Sequence, residues 1–181
     1  MKDKIVRWSK KKYTAKQRIL SLLPEAVLFL FVIPYALFLL SRSMDGFLGL
    51  SPFSQSFLTL VLGALLGVSG FLFAAWSVIV QFTKGEGTPV PLMATQRLIT
   101  DGPYSYCRNP MALGTFIFYL GIGTVIGSPS FIALVTLFTA ILLVYIKRVE
   151  ERELEERFGE EYLKYKATTS FFIPRIAPRR R

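Results

Sequence analysis

The chain has 181 residues, 52% of them hydrophobic, with 22 lysines and arginines against 12 aspartates and glutamates, no histidine and one cysteine. A single thiol, Cys107, excludes an intramolecular disulfide and a cysteine-based zinc site. The lack of imidazole removes the usual general base, the Ser/His and Cys/His nucleophile pairs and most catalytic zinc centres. The apolar fraction is too high for a disordered chain or an ordinary soluble domain, so the net charge of +10 has to be read by position.

A basic leader containing Lys2, Lys4, Arg7, Lys10, Lys11, Lys12, Lys16 and Arg18 precedes the first apolar stretch, residues 22–40. At about 1.5 Å per residue this stretch matches the roughly 30 Å hydrocarbon core of a bilayer, and its Pro34 is tolerated in membrane helices. A cleaved signal sequence is the rival reading, opposed by the length of the stretch and by the lack of a small-x-small site after Leu40. Residues 57–82 carry no charge and are long enough to span with tilt; Gly63, Gly67 and Gly70 give them a face that admits a close neighbour. The third and fourth stretches, Pro110 to Ile126 and Phe131 to Ile146, are shorter and are separated only by residues 127–130. They are expected to form a helical hairpin whose tip reaches the far surface, the alternative being a re-entrant pair.

With four spans and both ends inside, every basic residue except Arg42 falls on one side, as the positive-inside rule requires. The expected fold is therefore all-α and integral to the membrane: four transmembrane helices, a cytoplasmic loop and a C-terminal cytoplasmic amphipathic helix, with N and C termini cytoplasmic. On this reading the charge sets orientation. The N-terminal cluster also meets anionic lipid, at about 1 kcal/mol per nearby cation, and no nucleic acid is expected as a partner.

Two expected cytoplasmic stretches carry chemical groups. In residues 83–110, Asn109 is a preferred N-cap and Pro110 suits the first helical position, so capping alone accounts for both. The same helix start, with Arg108 beside it, also forms a candidate pocket for a carboxylate or phosphate. In residues 147–174, Leu154 and Phe158 share a helical stripe with Glu150 and Glu151 within about 60° of it. Glu153 and Arg157, Arg152 and Glu156, and Glu160 and Lys164 are spaced as solvated pairs. Glu150 and Glu151 stand at the mouth of the bilayer, where an unpaired carboxylate is costly. Either Lys147 and Arg148 neutralise them or a cationic ligand does, and spacing leaves both readings open. No metal site is expected.

The run GPYSYCRNPMALG, from Gly102 to Gly114, resembles the GPYxxxRHPxYxG or RNPMYLG signature of the isoprenylcysteine carboxyl methyltransferase family and its phospholipid methyltransferase relatives. Glu150, Glu151, Leu154, Phe158, Gly159, Tyr162 and Tyr165 are similar to that family's second motif, EExxLxxxFGxxYxxY, with Ile173 and Pro174 closing it. The upstream run from Gly87 to Pro91 is similar to a loop of bacterial members. The likeness spans roughly residues 85–175, and two ordered motifs separated by a short hairpin are far more specific than either alone.

The resemblance implies a membrane methyltransferase using S-adenosylmethionine. Residues 1–82 would form a basic N-terminus and two spans, and residues 83–181 a methyltransferase-like core. By the same likeness Tyr106, Asn109, Pro110, Met111, Leu113, Gly114, Glu150 and Glu151 would approach the cofactor, Arg108 and Glu151 would be catalytic, and Arg148 would position an anionic substrate. The implied acceptor is lipid-like or prenylated. A carboxylate is favoured because it is already ionised at neutral pH, in keeping with the absence of histidine. A phospholipid amine, another amine or a thiol would need deprotonation by Glu151, Tyr106 or Tyr162. The chain departs from the signature at Asn109, where the eukaryotic type has His, and at Ala112, where an aromatic wall or hydroxyl is lost. Two other classes compete. A sterol-type reductase would call for more basic residues than Lys84, Arg97 and Arg108 supply, and a non-enzymatic scaffold or transporter subunit would call for ionisable groups within the spans besides Glu25.

Overall fold

The structure, a computed structural model, describes residues 14–86 and 95–174. The leader cations Lys2 to Lys12, the run Gly87 to Pro91 and the basic residues Arg175 to Arg181 lie outside them. Among the described residues the fold is all-helical, with one isolated parallel bridge between Cys107 and Ser170.

Helix α1, Ala15–Val27, opens on a capping box in which Gln17 N donates to Thr14 Oγ1 and Thr14 N donates to Gln17 Oε1. It continues through a π turn, Leu28–Val32, into α2, Ile33–Leu48, which Gly49 stops in the left-handed conformation at φ 64°. The first apolar element is thus a rod of 33 residues, Lys16–Leu48, rather than the expected 22–40.

The π turn has a local cause. Ile33 N donates to Leu28 O, one residue beyond the usual partner, so Phe29 O loses its helical donor; the next candidate, Pro34, has no N–H. The Tyr119 hydroxyl donates to Phe29 O at 2.6 Å and restores the missing bond. An unmet carbonyl at membrane depth is costly, so Pro34 in the first rod and Tyr119 in a later helix form one structural unit.

Helix α3, Phe57–Lys84, is capped by Ser56, whose hydroxyl accepts from Thr59 N. Helix α4, Pro110–Ile126, ends at Gly127 (φ 74°), and α5, Pro129–Tyr145, begins at once with Ser128 as its cap. The hairpin expectation therefore holds in shape, with α5 starting two residues early. A second π turn, Ile146–Glu150, joins α5 to α6, Glu151–Phe158; Gly159 (φ 52°, ψ −127°) then breaks the chain before α7, Glu160–Thr168. The expected C-terminal helix is accordingly split: its first half prolongs the α5 rod, and only α7 turns away. Three rods, Lys16–Leu48, Phe57–Lys84 and Pro129–Phe158, are long and apolar enough to cross a membrane, whereas α4 is shorter.

The tightest pair is α3 against α4, and glycines set its spacing. A Cβ on Gly70 would lie 2.3 Å from Phe118 N, one on Gly121 2.3 Å from Gly67 N, and one on Gly114 2.5 Å from Ala74 N. A Cβ on Gly63 would meet the Val125 side chain at 2.7 Å and Gly121 O at 3.0 Å, while Gly67 contributes its backbone, its own missing Cβ facing open space. Tyr119, Phe131 and Val135 form the buried core, with Ile33, Leu37 and Phe38 packed on it. At the end of the hairpin away from the motifs, Asp45 accepts from the Ser128 hydroxyl and from Ser130 N, fastening α2 to the first turn of α5. Large apolar side chains such as Phe31, Leu65 and Ile141 face outward, as lipid-facing residues do.

Candidate functional site

The first motif is a compact turn. Gly102 takes φ 60°, which a side chain would strain, and leads into a 3-10 turn, Gly102–Ser105. Tyr104 donates its hydroxyl to Gln81 Oε1 of α3 at 3.0 Å, and its carbonyl accepts from the Tyr165 hydroxyl of α7 at 2.7 Å. Tyr162 and Tyr165 are nearly fully buried and meet edge to face at 6.1 Å. Burial pushes the phenols of Tyr104, Tyr162 and Tyr165 above their ordinary range, so all three remain protonated at neutral pH. Cys107 is wholly enclosed, and burial pushes its thiol up to about 11.

The residues after α7 lie alongside this turn as a strap. Arg108 N donates to Ser170 O at 2.8 Å, the Ser170 hydroxyl donates to Tyr106 O at 3.1 Å, and Asn109 Nδ2 donates to Phe171 O at 2.9 Å. Asn109 occupies the N-cap position of α4, yet its side chain holds the strap instead of capping. The capping expectation fails here: the side chain is turned to give Nδ2 to Phe171 O, and its Oδ1 accepts from no first-turn N–H. The first-turn N–H groups of Met111 and Ala112 are consequently left without a side-chain cap.

Arg108 and Glu151 form the centre of the cluster. Arg108 Nε and Nη2 both donate to Glu151 Oε1, at 2.9 and 2.7 Å, and Nη1 donates to the carbonyls of Lys166 and Thr169. Their side chains are only 10% and 3% exposed. Lys166 Nζ lies 2.9 Å from Glu151 Oε2 and 2.7 Å from Glu155 Oε1; Glu155 first, then Glu151, hold its ammonium above the ordinary range. The partner of Glu151 is therefore neither Lys147 nor Arg148 but Arg108, 43 residues away, with Lys166 assisting. Glu150 differs from its neighbour. It is half-buried, among the described residues no lysine or arginine lies within ion-pair distance, and its charge is felt at Tyr104.

The remaining predicted residues disperse. Pro110 and Leu113 are buried, Met111 and Tyr106 are half-buried, and Gly114 faces α3. Arg148 lies outside the Arg108–Glu151 network, in a cleft with Val144, Lys147 and Arg152. Of the three expected pairs, Glu153 and Arg157 meet at 3.0 Å, and Arg157 also donates to Thr95 O, tying α6 to the loop. Sequence reasoning missed Lys166, Thr169, Ser170 and Phe171. The signal for Lys166 was Gly159, since a helix broken there can return a cation to the acidic face it has just left. Among the described residues no cluster of potential metal ligands occurs.

Comparison with known proteins bears on this arrangement. Over 80 residues the chain is 34% identical to the cobalt-zinc-cadmium resistance protein of Cupriavidus metallidurans, covering 44% of this chain and 37% of that protein. It is 32% identical over 80 residues to the nickel-cobalt-cadmium resistance protein of Alcaligenes xylosoxydans xylosoxydans, again 44% of this chain and 37% of the relative. With the protein-S-isoprenylcysteine O-methyltransferase of Mus musculus it shares 33% identity over 84 residues, 45% of this chain and 29% of the mouse protein. The matched part is thus well under half the length of each of these relatives. No solved structure matches the chain. The sequence model of phospholipid methyltransferases matches residues 58–161, a stretch that contains the glycine-packed α3–α4 pair, the signature turn and both glutamates. The chain belongs to the phospholipid methyltransferase family.

Proposed function

We propose that the protein is an integral membrane methyltransferase that uses S-adenosylmethionine to methylate a lipid-like or prenylated acceptor at the cytoplasmic membrane surface. The observation that carries this reading is the contrast between two adjacent carboxylates. Glu151 is buried and doubly paired, whereas half-buried Glu150 has no cation within ion-pair distance among the described residues, and the start of α4 lacks a side-chain cap. A free carboxylate and a bare helix N-terminus are complementary to a ligand bearing an ammonium, a sulfonium and a carboxylate. S-adenosylmethionine is such a ligand and supplies, when bound, a methyl group activated for displacement.

Each residue then has a defined part. The helix start at Asn109, Pro110 and Met111, continued by Leu113 and Gly114, receives the carboxylate end of the cofactor, and Glu150 receives its cationic end. Tyr106 lines the approach. Arg108 and Glu151 clamp the two motifs together, so their effect on catalysis is positional. Arg148 lies apart from this cluster, in the cleft with Lys147 and Arg152, and takes no part in holding the cofactor. A carboxylate acceptor is ionised at neutral pH and asks the protein only for alignment and exclusion of water. The phenols of Tyr104, Tyr162 and Tyr165 stay protonated at neutral pH and supply no base, whereas burial, with Glu153 beside it, pushes the Glu150 carboxyl up to about 7, where it can take a proton from an amine or thiol acceptor.

The same reading assigns four spans, with α4 and α5 as a hairpin, both termini and α7 in the cytoplasm, and a division into residues 1–82 and 83–181. At about 1.5 Å per residue α4 is roughly 25 Å long, short of the full hydrocarbon core by less than one helical turn.

Titration calorimetry of the detergent-purified chain with S-adenosylhomocysteine tests the proposal. Saturable heat is expected, weakened about tenfold or more in Glu150→Gln, the equivalent of one charge-assisted contact. No saturable heat with the wild-type chain refutes the reading. Radiolabelled methyl transfer into membrane extracts then identifies the acceptor: base-labile label marks an ester, and base-stable label an amine or thioether.

A further inference from the structure

The charge distribution around the second π turn singles out three cations that take no part in the clamp. Val144, Lys147, Arg148 and Arg152 line a cleft of about 640 Å³ at the end of the α5 rod. Among the described residues Lys147, Arg148 and Arg152 have no carboxylate within 4.0 Å, whereas Lys84, Arg97, Arg108, Arg157 and Lys166 each have one. The expected pairing of Arg152 with Glu156 does not form. All three are exposed and solvated, so a phosphate entering the cleft would meet three cations not already engaged by a carboxylate.

Below the cleft the surface changes character. Leu137, Ile141 and Val144 recur at helical spacing along α5, each more than half exposed. An apolar stripe along the span thus runs directly into a basic cleft where the span ends. That order matches an acyl chain followed by a phosphate. The ring of Phe171 lies beneath Lys147 at 5.9 Å and beneath Arg108 at 5.6 Å, separating the cleft from the Arg108–Glu151 clamp.

We infer that this surface is a binding site for an anionic membrane phospholipid, with its phosphate between Lys147, Arg148 and Arg152 and one acyl chain along Leu137, Ile141 and Val144. The lipid is a bound component of the membrane, distinct from the methyl acceptor, so the inference goes beyond the proposed function. One tie links the two: the occupied cleft borders Phe171, whose carbonyl holds Asn109. The lipid therefore stabilises the strap from outside.

Native mass spectrometry of the full chain in mixed micelles of detergent with phosphatidylglycerol or phosphatidylcholine tests this. About fivefold per cation gives roughly a hundredfold preference for phosphatidylglycerol. Lys147→Gln, Arg148→Gln and Arg152→Gln combined should reduce that preference to within about threefold, while the charge-conserving set Lys147→Arg, Arg148→Lys and Arg152→Lys retains it. Equal retention of the two lipids by the wild-type chain overturns the inference, as does full preference in the glutamine variant. Displacement of phosphatidylglycerol by millimolar inorganic phosphate assigns the cleft to a soluble anion and overturns it as well. Melting temperature separates loss of the site from loss of the fold, and S-adenosylhomocysteine titration reports on the proposed function independently.

Discussion

Replacing Glu151 with alanine leaves the Arg108 guanidinium, 90% sequestered in its side chain, with Nε and Nη2 facing no acceptor while Nη1 remains tied to the Lys166 and Thr169 carbonyls. Removing one member of a buried ion pair costs about 3–5 kcal/mol, because the charge left behind is neither solvated nor paired. The Lys166 contact adds little to this, since Lys166 is 36% exposed and contacts of that kind contribute about 0–1 kcal/mol. Glu151→Gln keeps an acceptor at the position of Oε1 and removes only the charge, so its cost should fall to about 1.5–3 kcal/mol. Equilibrium unfolding in mixed SDS and non-ionic micelles, with tyrosine and tryptophan fluorescence as the signal, measures both. Glu86→Gln is the control: its pair with Arg97 spans 3.5 Å between side chains 42% and 75% exposed, and it should fall within about 0.5 kcal/mol of wild type. A cost below about 1 kcal/mol for Glu151→Ala, or equal costs for the alanine and glutamine variants, refutes the clamp.

Three further outcomes are expected. Gly121→Ala sets a Cβ 2.3 Å from Gly67 N, where only backbone could yield, and should destabilise by about 1–3 kcal/mol in the same unfolding assay; Gly46→Ala meets nothing within 4 Å and should gain up to about 1 kcal/mol of helix propensity. Tyr119→Phe leaves Phe29 O without a donor and should cost about 0.6–1.7 kcal/mol, with hydrogen exchange rising first around residues 28–34. Cys107, with its thiol pushed up to about 11, holds about a thousandth of its sulfur as thiolate at pH 8, so maleimide should label it only after denaturation; rapid labelling of the folded chain contradicts its enclosure.

How far residues announced their roles depended on whether the constraint was local. The charge-free run 57–82 could only be a buried or lipid-facing helix, and it is one, with ends displaced by two residues at most. Gly63 and Gly70 were legible as contact points because a bare helix face has few other uses, but of the glycines answering them from α4, Gly114 stood only as a motif letter and Gly121 drew no notice. Pro34 was visible as an interruption; the phenol that compensates for it lies 85 positions later and follows no spacing rule. Arg108 and Glu151 both stood out, yet as separate receivers of a ligand, since nothing in either motif says that they face one another. The strap escaped for the same reason. Its hydrogen bonds use backbone carbonyls, and every residue type has one.

The parallel bridge between Cys107 and Ser170 joins the middle of the signature run to residues made more than sixty positions later, after all the apolar helices. A chain emerging from the ribosome can therefore insert its rods and close the α3–α4 contact while the turn at Tyr106 to Asn109 still lacks the donors and acceptors that finish it. Whatever this site binds, it is assembled only once Phe171 is free to fold back. During synthesis the apolar helices can be in place before the motif cluster is complete, and a proteolytic cut between Thr168 and Phe171 would return the chain to that unfinished state with those helices intact.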